Sequence, residues 1–137
     1  MITEDYCSFE VAKLLKEKGF NEQCRAAYTN YGKLFTTQIQ QYITNALCSK
    51  GYLWDCTAPT LQMAMKWLRE VHNIFICIIP CEVGAGVMDY TCVLYKIDAK
   101  NFYFEDLCIQ GRAENISEIS YEKACEAAIK YCLERLI

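Results

Sequence analysis

The chain has 137 residues, of which 53% are hydrophobic and 23% charged, with only 2 prolines and 6 glycines. This length fits one domain, 1–137, and the apolar fraction excludes a disordered or collagen-like chain. With 14 basic and 17 acidic residues, the formal charge of −3 provides no basic footprint, so we expect no nucleic acid among the partners.

The N-terminus, Met1 to Asp5, is acidic, whereas a secretory signal peptide begins with basic residues and an apolar core. The longest nearly apolar run, 74–80, is far shorter than the roughly 20 residues that cross a bilayer. We therefore expect a cytoplasmic protein with no membrane partner. In a reducing cytosol the ten cysteines are predicted to be free thiols, mostly small buried hydrophobic residues.

Two helices are predicted from apolar periodicity together with clear cap residues. The first covers 8–18, with Ser8 as its N-cap and Gly19 as its left-handed stop. The other covers 120–136 and begins at Ser120. Both place charged residues opposite an apolar face, which indicates packing on a core.

Another helix is predicted over 59–72, starting at Pro59 with Thr57 or Ala58 at the cap. Its apolar arc spans roughly 160°, which is wider than one neighbour requires. We therefore expect this helix to contact more than one neighbouring element.

The second half of the chain predicts three strands. The run 74–80 shows no polar alternation, which indicates a strand covered on both faces. The segments 88–97 and 102–109 follow at short intervals, which favours an antiparallel meander. With the helices, this predicts an α+β fold in which helices pack on a small, mainly antiparallel sheet.

The segment 26–54 is low in charge and rich in Tyr, Thr and Gln. An extra hairpin is predicted over 24–37, around a turn at 29–32, followed by a short helix near 39–47. Aromatic enrichment with few charges is typical of an interface core, although completion of a small core explains it nearly as well. The candidate interface residues are Tyr28, Tyr31, Tyr42, Tyr52, Trp54 and, from the helix 59–72, Trp67.

Three helical stretches have familiar sequences: YCSFEVAKLLKEKGF at 6–20, APTLQMAMKWLREVH at 58–72 and YEKACEAAIKYCLE at 121–134. They resemble an uncharacterised family of small proteins encoded by phages and prophages of gut anaerobic bacteria. The resemblance implies a shared scaffold and a bacterial host cell as the compartment. It carries no known activity, and it does not extend to 21–57 or 75–118.

Cys77 and Cys81 are spaced as C-x3-C, and His72, the only histidine, lies five residues before them. A structural zinc site needs four ligands, usually in two pairs, and here Cys56 and Cys92 would have to complete the set through the fold. The apolar run around Cys77 favours burial instead. A Cys–His nucleophile would have to use His72, for which the end of a helix offers a purely structural role. We expect no metal and no cofactor, with Cys77, Cys81 and His72 as the first candidates for a catalytic or metal site.

Two further motifs are weighed against simpler explanations. Gly84-Ala85-Gly86 lacks the third glycine of a phosphate-binding loop and precedes a strand, so a loop between strands is favoured. Residues 82–126 contain nine acidic and four basic residues. The adjacent Glu105 and Asp106 should point to opposite faces of a strand and therefore not converge on a ligand.

The leading hypothesis is a binding or regulatory protein that acts through protein contacts as a homodimer. A strand at 74–79 that needs cover on two faces, and a helix with a wide apolar arc, leave apolar surface that a symmetric dimer would bury. One alternative is a small cysteine-dependent enzyme or small-molecule binder, using Cys77, Cys81 or Cys56 beside His72. Another is an acidic inhibitor of a host defence protein, suggested by the stretch 82–126.

Overall fold

Two antiparallel sheets, one of three strands and one of four, organise the part of the chain that the structure describes. In this computed structural model the described residues are 1–36, 41–51, 53–108, 111–114 and 116–137. Helices accompany both sheets, which confirms the α+β fold class. The chain divides into two compact units, Met1–Ala64 and Met65–Ile137. The single domain over 1–137 stays a prediction.

The first unit is built from short elements around a small sheet. They are α1 (Phe9–Glu17), β1 (Ala27–Thr29), β2 (Leu34–Phe35), α2 (Asn45–Cys48), β3 (Trp54–Thr57) and the first turn of α3 (Leu61–His72). The strand order is β2-β1-β3, and both pairings are antiparallel. The hairpin expected over 24–37 is confirmed in shortened form, with Gly32 at a φ of 79° closing its turn.

Three features of this unit differ from the sequence prediction. The strand β3, which completes the sheet, was not predicted. Ile43 was placed in a short helix, but it lies in extended backbone and exchanges two 2.8 Å hydrogen bonds with Cys24. The helix α2 therefore begins only at Asn45, after Thr44, whose hydroxyl accepts a bond from the Leu47 amide. Residues 37–40, which include the end of the predicted hairpin and the start of the predicted helix, lie outside the described residues.

The helix caps follow from side-chain hydrogen bonds. The Ser8 hydroxyl accepts from the Val11 amide, and Phe20 donates back to the Leu15 carbonyl at 2.9 Å, which is the predicted Schellman ending. In α3 the predicted cap was wrong by two or three residues. The Thr60 hydroxyl accepts from the Met63 amide at 3.2 Å, so Thr60 is the N-cap and Pro59 lies before the helix.

One buried amide ties three segments of the first unit together. Asn45 donates from Nδ2 to the Phe20 carbonyl at 2.7 Å, and its Oδ1 accepts from the Thr57 amide at 2.9 Å. A separate apolar cluster of Ala12, Ala26, Tyr28, Cys56 and Ala58 packs α1 on the sheet. Within 26–54 the core takes Ala26, Ala27, Tyr28, Asn45 and Cys48, whereas more than half of the described residues of this segment are exposed.

The second unit contains the larger sheet. Its elements are the rest of α3, β4 (Ile74–Gly84), β5 (Val87–Asp98), β6 (Tyr103–Asp106), β7 (Ile116–Glu118) and α4 (Tyr121–Tyr131), which continues as a π-helical stretch over Cys132–Leu136. β4 pairs with β5 along its length, and β6 and β7 pair with different parts of the opposite side of β5. The predicted meander is confirmed, with a shorter third strand and with β7 added. Residue 109, at the end of that predicted strand, lies outside the described residues.

Local geometry explains both ends of the long β4–β5 hairpin. Ala85 and Gly86 have φ values of 52° and 73°, the two positive values that a type I′ hairpin turn requires. This places the Gly84–Gly86 motif in a tight turn. At the other end Asn73, with a φ of 58°, lets the chain turn directly from α3 into β4.

The helix α4 covers one face of this sheet, because it packs against β4, β5 and β7. Ser120 caps it as predicted, accepting from the Lys123 amide. The buried residues behind it are Cys92, Leu94, Ala124, Cys125, Ala128, Ile129, Cys132 and Leu133. Apart from Ile74, none of the residues of β4 is fully buried, so the prediction of a strand covered on both faces is wrong.

Candidate interaction surface

The four-stranded sheet has one covered face and one accessible face. Directly opposite residues of an antiparallel pair share a face, so the register places the fully buried Cys92 and Leu94 opposite Ile78 and Ile76, on the side of α4. The apolar side chains of the other face are Phe75, Cys77, Ile79, Cys81, Val93, Tyr95, Ile97 and Phe104. We call these eight side chains the open face.

The open face is accessible at both of its outer strands. Ile79 of β4 retains 39% exposure, Phe104 of β6 retains 65%, and Cys77 is exposed. The side chains of β5 between them, such as Val93 and Tyr95, are half-buried. Such a surface is a candidate interaction site, because the largest apolar patch of a protein is often functional.

The aromatic part of the open face adjoins one carboxylate, that of Asp106. The Tyr95 and Phe104 rings lie 5.4 Å apart, and the pKa of the Tyr95 phenol is raised, first by desolvation and then by the Asp106 carboxylate opposite it. A phenol whose pKa is raised stays neutral at physiological pH. The face therefore offers apolar contact, one hydroxyl group and, on β6, the carboxylate of Asp106.

The free edge of β4 is poorly suited to pairing with another strand. The Ile97 amide donates to the Asn73 carbonyl at 3.0 Å, which makes Ile74 and Lys96 a non-hydrogen-bonded pair. By alternation Pro80 and Tyr90 form another such pair, so the Pro80 nitrogen points away from β5. Because proline has no N–H, it interrupts the free edge at this position, as edge strands often do. Contact through the open face is therefore favoured over contact through the edge.

A cavity of about 430 Å³ continues the open face at the end next to α3. Phe75 and Ile97 belong to both the cavity and the open face. The remaining lining residues are Glu70, Asn73, Asp98, Ala99 and Lys100. The cavity therefore combines two apolar side chains with charged groups of both signs.

The turn between β5 and β6 forms one wall of this cavity and is fixed by Asp98. Its carboxylate accepts from the Lys100 amide at 3.0 Å and from the Asn101 side-chain amide at 2.6 Å. The Asn101 bond is the largest cause that lowers the pKa of Asp98. Asp98 thus stays ionised and holds the turn in one conformation.

The structure does not bring the catalytic and metal candidates together. Cys77 and Cys81 lie four residues apart on an extended strand, or about 13 Å at ~3.3 Å per residue. Cys77 is exposed, so its predicted burial is wrong. In the described residues no group of three or more His, Cys, Asp or Glu side chains is placed to hold a metal ion.

His72 is held by an aromatic contact at the end of α3. Its ring lies 4.7 Å from that of Trp67, edge to face, and within the described part of the chain its buried Nε2 has no hydrogen-bond partner. Burial, followed by the charge of Lys96, lowers the pKa of His72. The residue is thus a neutral packing group at physiological pH, and the predicted contact with terminal carbonyls is not what holds Nε2.

Most of the cysteines are buried thiols, as expected, and all ten are free. Desolvation is the main cause that raises the pKa of Cys24 to about 11 and the pKa values of Cys56 and Cys132 to about 12. Such thiols carry almost no thiolate at neutral pH. Cys56, a candidate of the enzyme hypothesis, is therefore a core residue of the first unit.

The candidate interface aromatics differ in how deeply they are buried. Tyr28 is buried and donates to the Cys7 carbonyl at 2.6 Å, and Trp67 is also buried, so neither is a surface contact. Tyr31 is almost fully exposed, and Tyr42 is exposed beneath the Arg25 guanidinium at 4.8 Å. Half-buried Trp54 contacts Phe35. Tyr52 lies outside the described residues.

Glu105 and Asp106 diverge as the sequence predicted. Glu105 lies opposite Lys96 and accepts two 2.8 Å bonds from Arg112, whereas Asp106 lies opposite Tyr95. The pair therefore forms no shared cation site. The acidic stretch 82–126 contributes this ion pair, and it also contributes carboxylates such as Asp98 and Asp106 that accept hydrogen bonds from the backbone.

Sequence reasoning did not identify Phe104 or the cavity. The alternation of 102–109 contained the signal for Phe104, but which face lacks a covering helix depends on the tertiary fold. No protein-family model matches the chain, and no curated protein or solved structure shows significant similarity to it. Among the described residues there is no helix with the length and apolar character needed to span a membrane.

Proposed function

We propose that this protein is a protein-binding module that associates with a second copy of itself through the open face. The observation that carries this proposal is the apolar side of the four-stranded sheet, exposed from Cys77 and Ile79 across to Phe104. Burial of apolar surface stabilises association by about 25 cal/mol per Å² before the costs of ordering. A twofold axis lets one such face cover its own copy.

The cellular setting belongs to the same proposal. Ten free cysteines are in keeping with a reducing compartment such as the cytoplasm. The likeness of the three helical stretches to a family encoded by phages supports an origin in phages of bacterial hosts. A regulatory role through protein contacts follows from the presence of an apolar surface and from the absence of a converging set of catalytic side chains in the described residues.

The proposal is tested by placing a charge on the open face. Ile79→Lys should convert a dimer to a monomer in a sedimentation-velocity concentration series, because a lysine at the centre of an apolar contact would be desolvated without a partner. The matched control is Leu34→Lys, which changes an apolar residue of β2 in the first unit with a similar exposure of 37%. Equal masses for Ile79→Lys and the unaltered protein at every concentration would refute the proposal.

A further inference from the structure

Phe102 is an exposed aromatic side chain on an unfavourable backbone. It retains 97% of its surface exposure and has a φ of 54°, a region that bulky residues rarely adopt. Strain of this kind persists where the surroundings or the function require it. Because the Phe102 side chain is almost completely exposed, packing within its own chain does not explain why a phenylalanine occupies this position.

The turn between β5 and β6, which contains Phe102, also borders the cavity beside the open face. Asp98, Ala99 and Lys100 line it, and Phe102 follows two residues later. A dry cavity of about 150 Å³ holds a benzene ring, so a cavity of about 430 Å³ accommodates a phenylalanine side chain. Phe75 and Ile97 supply apolar contact for it.

The size of the open face calls for an additional contact. From Phe75 to Cys81 it is about 23 Å long and about 14 Å wide, or about 300 Å² in projection, from the usual strand dimensions. A standard stable interface buries about 800 Å² on each partner. A dimer of this chain therefore needs more surface than the sheet alone provides, and the adjoining turn and cavity are continuous with it.

We propose that Phe102 of each copy inserts into this cavity of the other copy. This proposal rests on the association proposed above. It identifies Phe102 and the cavity as the contact that anchors the dimer. A twofold axis parallel to the strands keeps the turn ends of both sheets together and exchanges the β4 side with the β6 side. The cavity lies beside Phe75 of β4, whereas Phe102 precedes β6, so this axis sets each phenylalanine over the partner's cavity.

The charges on the cavity rim agree with this arrangement. Glu70 lies on α3 and Lys100 in the turn, and both residues line the cavity. The same axis that exchanges Phe102 brings Lys100 of one copy towards Glu70 of the other. Glu70 otherwise faces Lys66 at 3.7 Å in an exposed pair, which contributes little and is easily exchanged.

Phe102→Gly tests the anchor without harming the fold. Glycine accepts a positive φ freely, so the monomer should unfold at the same or a higher urea concentration than the unaltered chain. The dimer dissociation constant should nevertheless rise at least about 30-fold, the effect of losing an interface hot spot. Leu53→Ala, which truncates an exposed apolar side chain of the first unit, should leave the dissociation constant unchanged.

Charge reversal provides an independent test by sedimentation velocity. Lys100→Glu and Glu70→Lys should each weaken the dimer, and the double variant should restore much of the affinity, because the two charges then pair with reversed signs. A dimer unaffected by Phe102→Gly would overturn the anchor while leaving the association itself in place. An unaltered protein that stays monomeric at every concentration would overturn both proposals.

Discussion

At the scale of single residues, burial divides the ten cysteines into distinct chemical groups. Cys77 lies exposed on the open face, whereas Cys24, Cys56 and Cys132 lie in the cores of the two units. Both environments arise in apolar sequence, so neighbours along the chain do not reveal which thiol is accessible. The difference appears instead in reactivity.

We predict that Cys77 is alkylated much faster than the buried cysteines in dilute, reduced protein near neutral pH. With pKa values of about 11 to 12, the buried thiols hold about 100- to 1000-fold less thiolate than an ordinary thiol. Timed alkylation followed by peptide mass spectrometry measures this. Urea-unfolded protein, in which all ten thiols should react at similar rates, is the control. A Cys77 rate as low as that of Cys56 would contradict the exposed placement.

Asn45 is the residue for which we expect the largest polar contribution to stability in the first unit. Asn45→Ala leaves the Phe20 carbonyl and the Thr57 amide without their partners. The free energy of unfolding should fall by about 2–3 kcal/mol, since each buried unsatisfied group costs about 1–3 kcal/mol. Equilibrium urea unfolding measures the change.

The matched control for Asn45 is Asn21→Ala. Like Asn45, Asn21 accepts a hydrogen bond from a backbone amide. The donor is the Ala46 amide of α2 at 2.8 Å, and the site is exposed. Its loss should cost about 1 kcal/mol or less, because water replaces the lost bond. Equal losses for the two variants would show that the buried bridge of Asn45 has no special role.

At the scale of elements, the sequence predicts well where helices begin and less well where short strands lie. Ser8 and Ser120 were found because capping depends on residues within one turn. Thr60 was missed because Pro59 also fits a helix start. The short strand β3 was not predicted because its environment depends on contacts with β1 and α2. Its four residues are also too few to show a recognisable periodicity.

The open face shows more clearly that the sequence does not predict features that depend on tertiary contacts. The apolar character of 74–79 predicts a strand with two apolar faces, and that is what β4 has. Its sequence does not show that α4 covers only one of them, because coverage depends on the placement of a helix nearly fifty residues away. The Gly84–Gly86 turn, by contrast, is set locally and was placed correctly between strands.

At the end of α3, a single residue, His72, should make the stability of the protein depend on pH. His72 is the only histidine, and burial beside Trp67 lowers its pKa in the folded state below 6.5. The unfolded chain therefore binds the proton first as the pH falls. The stability that His72 provides is complete above about pH 6.5 and is lost as the pH falls below it.

We predict that this loss disappears in His72→Gln. Urea unfolding at pH 7.5, 6.5, 6.0 and 5.5 should show the unaltered protein losing stability relative to the variant at each step. Carboxylates titrate in both proteins, so the difference between them isolates the histidine. A difference that stays constant, or that grows in favour of the unaltered protein as the pH falls, would contradict the buried neutral imidazole.

At the scale of the whole molecule, folding leaves part of the apolar surface of the described chain exposed. The core of the second unit lies between α4 and one side of its sheet, while the other side carries Ile79 and Phe104 in accessible positions. Composition gives an early indication of this surplus, since 53% of the residues are hydrophobic. It gives no indication of the boundary between the two units, which falls inside the continuous helix α3.

The most direct test of the proposed association is the molar mass of the reduced, full-length protein over a concentration series. Light scattering with chromatography, from about one to about one hundred micromolar, should show a rise towards twice the 15.8 kDa chain mass. The rise should be independent of oxidant, because noncovalent burial of the open face drives it. A mass that stays at 15.8 kDa throughout would contradict self-association through this surface.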